Sequence, residues 1–235
     1  MSRARTARHA LLLPCLVLAA CSGLFRSTSK PEQIYYLRAP AGAAAAGSGA
    51  GGEAAASHAT ALPASLRVGH VEAGPGLDTP HIMLVQADHR MNFYTGTRWP
   101  VPAPQLIEAL AVQTLRTSGQ WRSVEDAGSS FPSDYLVQMH LTRFEGDYSA
   151  GADAPVVHVV LDCILGRREG REVLATFTVS GSAAAAANHQ SAVVAAFEQA
   201  TGTALEALAR QAAQAVSLDL QHSAAAPDTP PPARP

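Results

Sequence analysis

The residues best suited to chemistry are two histidines, an aspartate and a thiol on two neighbouring runs. His140 lies in "DYLVQMHLTRFEG", and His158, Asp162 and Cys163 lie in "PVVHVVLDCILG". Two imidazoles and a carboxylate can hold zinc if the fold brings them within bonding reach. Both runs alternate with period two and predict adjacent strands, across which His140 and His158 could meet. Asp162 stands two strand-steps from that meeting point. The same alternation places all three on the face opposite the apolar one, where polar side chains are expected anyway, so solvated strand residues are the preferred reading. Cys163 alternates with valines and leucines, which predicts a buried, unreactive thiol. Glu108 falls on the polar face of a predicted helix, and Asp147 and Asp153 fall in "EGDYSAGADAP", where Asp and Gly serve turns. Gly-x-Ser-x-Gly, His-Glu-x-x-His and Cys-x-x-Cys do not occur. No catalytic residue, metal ligand or cofactor is assigned.

A second stretch, "MNFYTGTRWPVPAPQLIEAL" (Met91 to Leu110), suits recognition better than catalysis. Its prolines fix the entry to a helix at low entropy cost. Phe93 and Trp99 are expected to anchor the strand-to-helix crossing in the core. Tyr94 and Arg98 could face outward, where both residue types are enriched at protein interfaces, and a purely structural role for the pair stands equally open.

These side chains need elements to position them. "SLRVGHVEA", "HIMLVQAD" and "HRMNFYTG" predict three strands, the last two joined by a turn at Ala87-Asp88. From Pro102, helical spacing carries Leu106, Ile107, Leu110, Ala111 and Leu115. Pro104 suits the first turn and Gly119 the position just past the end. "QWRSVED" predicts a short strand, and three stronger ones follow. The first buries Tyr135, Val137, Met139 and Leu141, the second Val157 to Leu165 at alternate positions, and the third Val173, Ala175, Phe177 and Val179. "RREG" predicts a hairpin between the last two. A long amphipathic helix closes the domain on Val193, Phe197, Ala200, Ala204, Leu208 and Ala212, with Asn188 or Ser191 as cap and Gly202 as its weak point. Strands grouped with two helices predict an α+β two-layer sandwich, a mixed or antiparallel sheet with both helices on one face.

The ends carry the address. Arg3, Arg5 and Arg8 precede a short apolar run that ends at Ala20, too short to span a bilayer. Leu18-Ala19-Ala20-Cys21 resembles the lipobox of bacterial lipoproteins. That resemblance implies cleavage before Cys21 and acylation of Cys21, and several acyl chains anchor a protein firmly. Ser22, where an aspartate would signal inner-membrane retention, favours the inner leaflet of the outer membrane with the domain in the periplasm. Removing the leader takes three of the 17 basic residues and none of the 19 acidic ones, leaving 14 against 19, a net charge of −5. Such an acidic chain is a poor candidate for nucleic acid. Cys15 leaves with the leader and Cys21 is acylated, so Cys163 has no intrachain disulfide partner.

The expected organisation is a signal peptide over 1–20, then an acylated tether over 21–63 that holds a short Tyr35-Tyr36-Leu37 strand and an Ala/Gly-rich insertion. A domain follows over 64–220 and a Pro-rich tail over 221–235. The composition of the insertion and the tail cannot offset their ordering entropy.

Taken in order, the acylated cysteine, Tyr35-Tyr36-Leu37, Phe93-Tyr94, Arg98-Trp99, Pro104 with Leu106 and Ile107, and Ser118-Gly119 with Trp121 resemble the ABC-type transport auxiliary lipoprotein family. "DYLVQMHLTRFEG" and "AVVAAFEQA" (Ala192–Ala200) extend the resemblance, while the Ala/Gly insertion and the Pro-rich tail depart from it. That family includes the outer-membrane lipoprotein component of the Pqi system. The resemblance implies a non-catalytic docking component that partners an MCE-domain protein of an inner-membrane lipid transport complex, with assembly into homo-oligomers left open. Two other classes compete: a stand-alone envelope lipoprotein that holds a lipid or apolar ligand itself, and an envelope enzyme relying on His140, His158 or Asp162.

Overall fold

The computed structural model describes residues 32–40 and 61–225. The leader, Cys21, the greater part of the Ala/Gly insertion and the end of the Pro-rich tail lie outside the described residues. In chain order the elements are β1 (Gln33–Ile34), β2 (Leu62–Ala73), β3 (His81–Val85), β4 (Met91–Arg98), helix α1 (Ala103–Thr117), β5 (Trp121–Glu125), β6 (Tyr135–Asp147), β7 (Val156–Arg167), β8 (Glu172–Ala184) and helix α2 (Gln190–Ala225). The architecture is α+β, one mixed sheet of eight strands with two helices.

Strand β6 is the spine. Along its whole length β7 pairs antiparallel, and β8 continues antiparallel beyond β7. On its other side β2 pairs parallel with the first half and β3 with the last residues. Outside β2 lies β5; outside β3 lie β4 and then β1. Helix α2 packs across β7 and β8, α1 across β2 and β5, and the two helices touch.

Alternation explains the core. Tyr135, Val137, Met139 and Leu141 on β6 are buried, as are Val157, Val159, Leu161, Cys163 and Leu165 on β7. Trp99, Phe144 and Phe197 meet at centroid separations of 4.9 to 5.8 Å, and all three are fully buried. They join the strand-to-helix crossing, the end of β6 and α2. Trp99 is thus the core anchor its position predicts.

Helix α1 begins after Pro102 with Pro104 in its first turn, and Gly119 follows at φ 64°. Helix α2 starts differently from expectation. Neither Asn188 nor Ser191 caps it; His189 Nδ1 accepts the Ala192 N–H at 3.2 Å, and Asn188 Oδ1 accepts the Tyr148 hydroxyl. An imidazole nitrogen supplies the acceptor that a hydroxyl or carboxamide usually provides. The strand expected at Tyr35-Tyr36-Leu37 is two residues earlier, at Gln33–Ile34, while Leu37 drops into the core.

Two bulges change which side chains face out. Between β3 and β4, His81 pairs with Arg98 but Met83 pairs with Phe93, leaving four residues of β4 opposite Ile82 alone. A regular ladder would leave one, and Gly96 at φ 73° serves the detour. Three extra residues reverse the phase of alternation. Between β7 and β8, Leu165 pairs with Ala175 but Gly166 pairs with Val173. Val173, expected in the core, is 62% exposed. Its face is the one opposite the helices.

Candidate functional site

The sequence singles out two candidate sites, and the structure separates the residues of the first. Strand register pairs His140 with Asp162 but His158 with Glu145, so the two histidines do not meet across the sheet. Each has its own neighbour: His140 Nδ1 lies 4.0 Å from Glu72, and His158 Nε2 lies 3.9 Å from Asp147. Asp162 accepts the Thr178 hydroxyl at 2.6 Å. Among the described residues no group of three His, Cys, Asp or Glu is placed to hold a metal ion. Burial, followed by the nearby Asp162 charge, pushes the Cys163 thiol up to about 12, where it is protonated at neutral pH and inert as a nucleophile.

Sequence reasoning missed a charged network on the same sheet face. The Glu145 carboxylate is almost fully buried, yet it receives Arg143 Nε at 2.6 Å and the Phe144 N–H at 2.7 Å. Arg143 also reaches Asp147 at 3.2 Å. Buried charge is tolerated only with this degree of pairing. The bulge between Leu141 and Arg143 re-aims these side chains, and a period-two reading cannot detect it. Glu108 is likewise more engaged than a solvated helix residue, accepting from Val71 N–H at 3.3 Å with His70 at 3.2 Å.

The second site is the outer margin formed by β1 and β4. Here the structure exchanges two expected roles. Phe93 is 51% exposed and stacks on His81, with centroids 4.4 Å apart and planes 18° from parallel. Tyr94 turns inward, and its hydroxyl meets that of Tyr148 at 2.8 Å. Burial, then that hydrogen bond, raises the Tyr94 phenol far above the usual tyrosine range. The cause is the phase reversal: Met83 and His81 share a face, so their partners Phe93 and Arg98 do as well. Arg98 holds β1 in place through its carbonyl, which accepts the Tyr35 N–H at 2.9 Å. Ile34, Tyr36 and Met91 are also exposed along this margin, giving it an apolar character with Arg98 inside it. Tyr and Phe with Arg form the composition that anchors interfaces.

A family model described as an ABC-type transport auxiliary lipoprotein component matches residues 49–217. The chain belongs to this family. By sequence, no curated protein matches it. The crystal structure of protein XCC0632 from Xanthomonas campestris is similar, with a TM-score of 0.63 at 23% identity, covering 82% of this chain and 98% of that one. A second crystal structure, of an uncharacterised protein, gives a TM-score of 0.57 at 14% identity over 77% of this chain and 99% of that one. At these identities the likeness concerns the fold. Membership makes the chain an auxiliary lipoprotein of a transport system.

Proposed function

We propose that this auxiliary lipoprotein is the non-catalytic docking component of an MCE-type intermembrane lipid transport system. The observation that carries the reading is the family match, which spans both helices' cores and all strands from β2 to β8. Acyl chains on Cys21 hold it in the inner leaflet of the outer membrane, with the domain in the periplasm. The partner is an MCE-domain protein of the inner-membrane complex. Its docking edge is the β1/β4 margin, where Phe93 and Arg98 share a face and Tyr94 ties β4 to Tyr148. Support for a non-catalytic role comes from the separate partners of His140, His158 and Asp162 and from the protonated Cys163 thiol.

The test is affinity purification of the chain from mildly cross-linked envelopes, with partners identified by mass spectrometry. An MCE-domain protein recovered with wild type, and lost with Phe93→Ser, is the expected result. Recovery of the chain without any MCE-domain protein overturns the docking role and favours the stand-alone lipid-binding lipoprotein.

A further inference from the structure

The bulge at the β7–β8 hairpin opens a cavity on the sheet face that the helices leave uncovered. Across four strands the register runs Arg67, Leu136, Gly166, Val173. Gly166 has no side chain to fill the row, and none would fit: an added Cβ would lie 2.9 Å from the Glu172 carbonyl oxygen. Gly166 borders a cavity of about 400 Å³, lined among others by Leu136, Ile164 and Val173. Ile164 is 42% exposed and Val173 62% exposed, although each sits on a long strand with a buried face available. The bulge points Val173 outward when regular pairing would have buried it.

Arginines line the rim of this apolar floor. Arg67, Arg168 and Arg171 all border the cavity, and among the described residues none of the three forms an ion pair with a carboxylate. Arg167 differs, being held by Asp219 and Glu172. The Arg67 guanidinium is fixed by the Ser129 carbonyl at 2.6 Å, the Phe131 carbonyl and Ser133 Oγ at 3.4 Å. Carbonyl partners orient it without neutralising it, and Glu125, its neighbour across the β2–β5 ladder, accepts the Ser129 hydroxyl at 2.9 Å instead of pairing with it. Arg171 adopts φ 53°, a left-handed conformation that glycine takes without strain. Glu172 also lines the cavity but is paired with Arg167, so three guanidiniums outside any ion pair stand beside an exposed aliphatic pair, a setting that suits a ligand with a multiply charged anionic head and an apolar body. A phosphate monoester carries close to two charges and accepts paired guanidinium hydrogen bonds, whereas a carboxylate carries one charge.

We infer that this cavity binds an amphiphile headed by a phosphate monoester, its phosphate on Arg67, Arg168 and Arg171 and the adjoining chain on Ile164 and Val173. The site is independent of the β1/β4 margin and of which protein docks there.

The test uses the full chain purified from envelopes in a neutral detergent, with bound molecules counted by native mass spectrometry. The probes are lysophosphatidic acid, lysophosphatidylcholine and inorganic phosphate. Wild type is expected to retain one lysophosphatidic acid, about tenfold more tightly than lysophosphatidylcholine, and no inorganic phosphate. The double variant Arg168→Ala with Arg171→Gly keeps the turn, because both residues are exposed and glycine suits the backbone at 171. It should lose about tenfold in retention with an unchanged melting temperature. Val173→Asp, a separate variant, should lose as much. Equal retention by the double variant, or of lysophosphatidylcholine by wild type, overturns the site. Inorganic phosphate held as firmly as the lipid overturns its apolar half.

Discussion

The hydroxyls of Tyr94 and Tyr148 lie 2.8 Å apart, and Tyr148 in turn donates to Asn188 Oδ1 at 2.8 Å. Tyr148 has one proton and gives it to Asn188, so Tyr94 is the donor in the first bond. The relay ties β4 to Asn188, two residues before helix α2.

Tyr94→Phe keeps the ring and its packing but leaves the Tyr148 oxygen without its donor. A neutral hydrogen bond of this kind contributes about 1 kcal/mol. The urea midpoint should therefore fall by a corresponding amount, with the denaturant slope unchanged. An unchanged midpoint would show that the relay stabilises nothing.

Asp219 links α2 to the sheet. Burial draws its carboxyl upward, but hydrogen bonds from Arg167 and Tyr135 outweigh burial and hold it below its ordinary 3.8. The folded chain therefore binds this proton less readily than the unfolded chain. Its stabilisation is complete above the unfolded value and is lost as pH falls through the folded one. Tyr135 has the opposite sign: burial, then Asp219, pushes its phenol up from 10.0 to about 12. That contribution is complete below 10.0 and disappears as pH rises toward about 12. Asp219→Asn should cost about 1.5–3 kcal/mol at neutral pH, the range for hydrogen bonds to charged groups. It should also flatten the stability profile on both the acid and the alkaline side, read from urea midpoints across pH.

Two glycines at the interface of α2 have opposite outcomes when a methyl group is added. A Cβ on Gly181 would lie 2.0 Å from the Ala200 carbonyl oxygen and 2.9 Å from its carbon, both backbone atoms that cannot rotate aside. Gly181→Ala must push α2 off β8 and should cost about 3 kcal/mol, the upper end for overpacking. A Cβ on Gly202 would meet only the Pro40 side chain, at 3.6 Å. That is ordinary contact inside a helix, so Gly202→Ala should stabilise by about 0.5–1 kcal/mol. Thermal melts of the two variants should shift in opposite directions.

The residue pattern revealed a great deal of this fold. The regular halves of β6 and β7 and the buried stripe of α2 follow period two and period 3.6, and their faces are as the sequence predicts. The expectations that failed did so where a ladder slips or a less usual group takes a role. Phe93 and Tyr94 exchanged places because β4 carries three extra residues opposite β3. Val173 left the core through one extra residue in β8. His140 and His158 were separated by hairpin register, which depends on loop geometry between Asp147 and Val156 and not on alternation. His189 replaced the expected caps because an imidazole acceptor carries no sequence signature as a helix start. The β7–β8 bulge also shapes the arginine-rimmed cavity, which alternation alone does not reveal.

The exchange of Phe93 and Tyr94 determines how docking must be tested. Tyr94→Ala would remove a half-buried ring and break the relay to Asn188, so any lost binding would be confounded with a damaged fold. Phe93 is half exposed and touches His81 by stacking, so Phe93→Ser should change stability by no more than about 0.5–1.5 kcal/mol, the range for an aromatic pair. An exposed aromatic at the centre of an interface costs more than that when truncated, typically about 2 kcal/mol or more of binding. The expected pattern is a melting temperature close to wild type together with capture of the MCE-domain partner reduced by about tenfold or more. His81→Ala, which removes the platform under Phe93, should reduce capture in the same direction by a smaller factor. If Phe93→Ser and His81→Ala both leave capture at the wild-type level, the β1/β4 margin is not the docking edge.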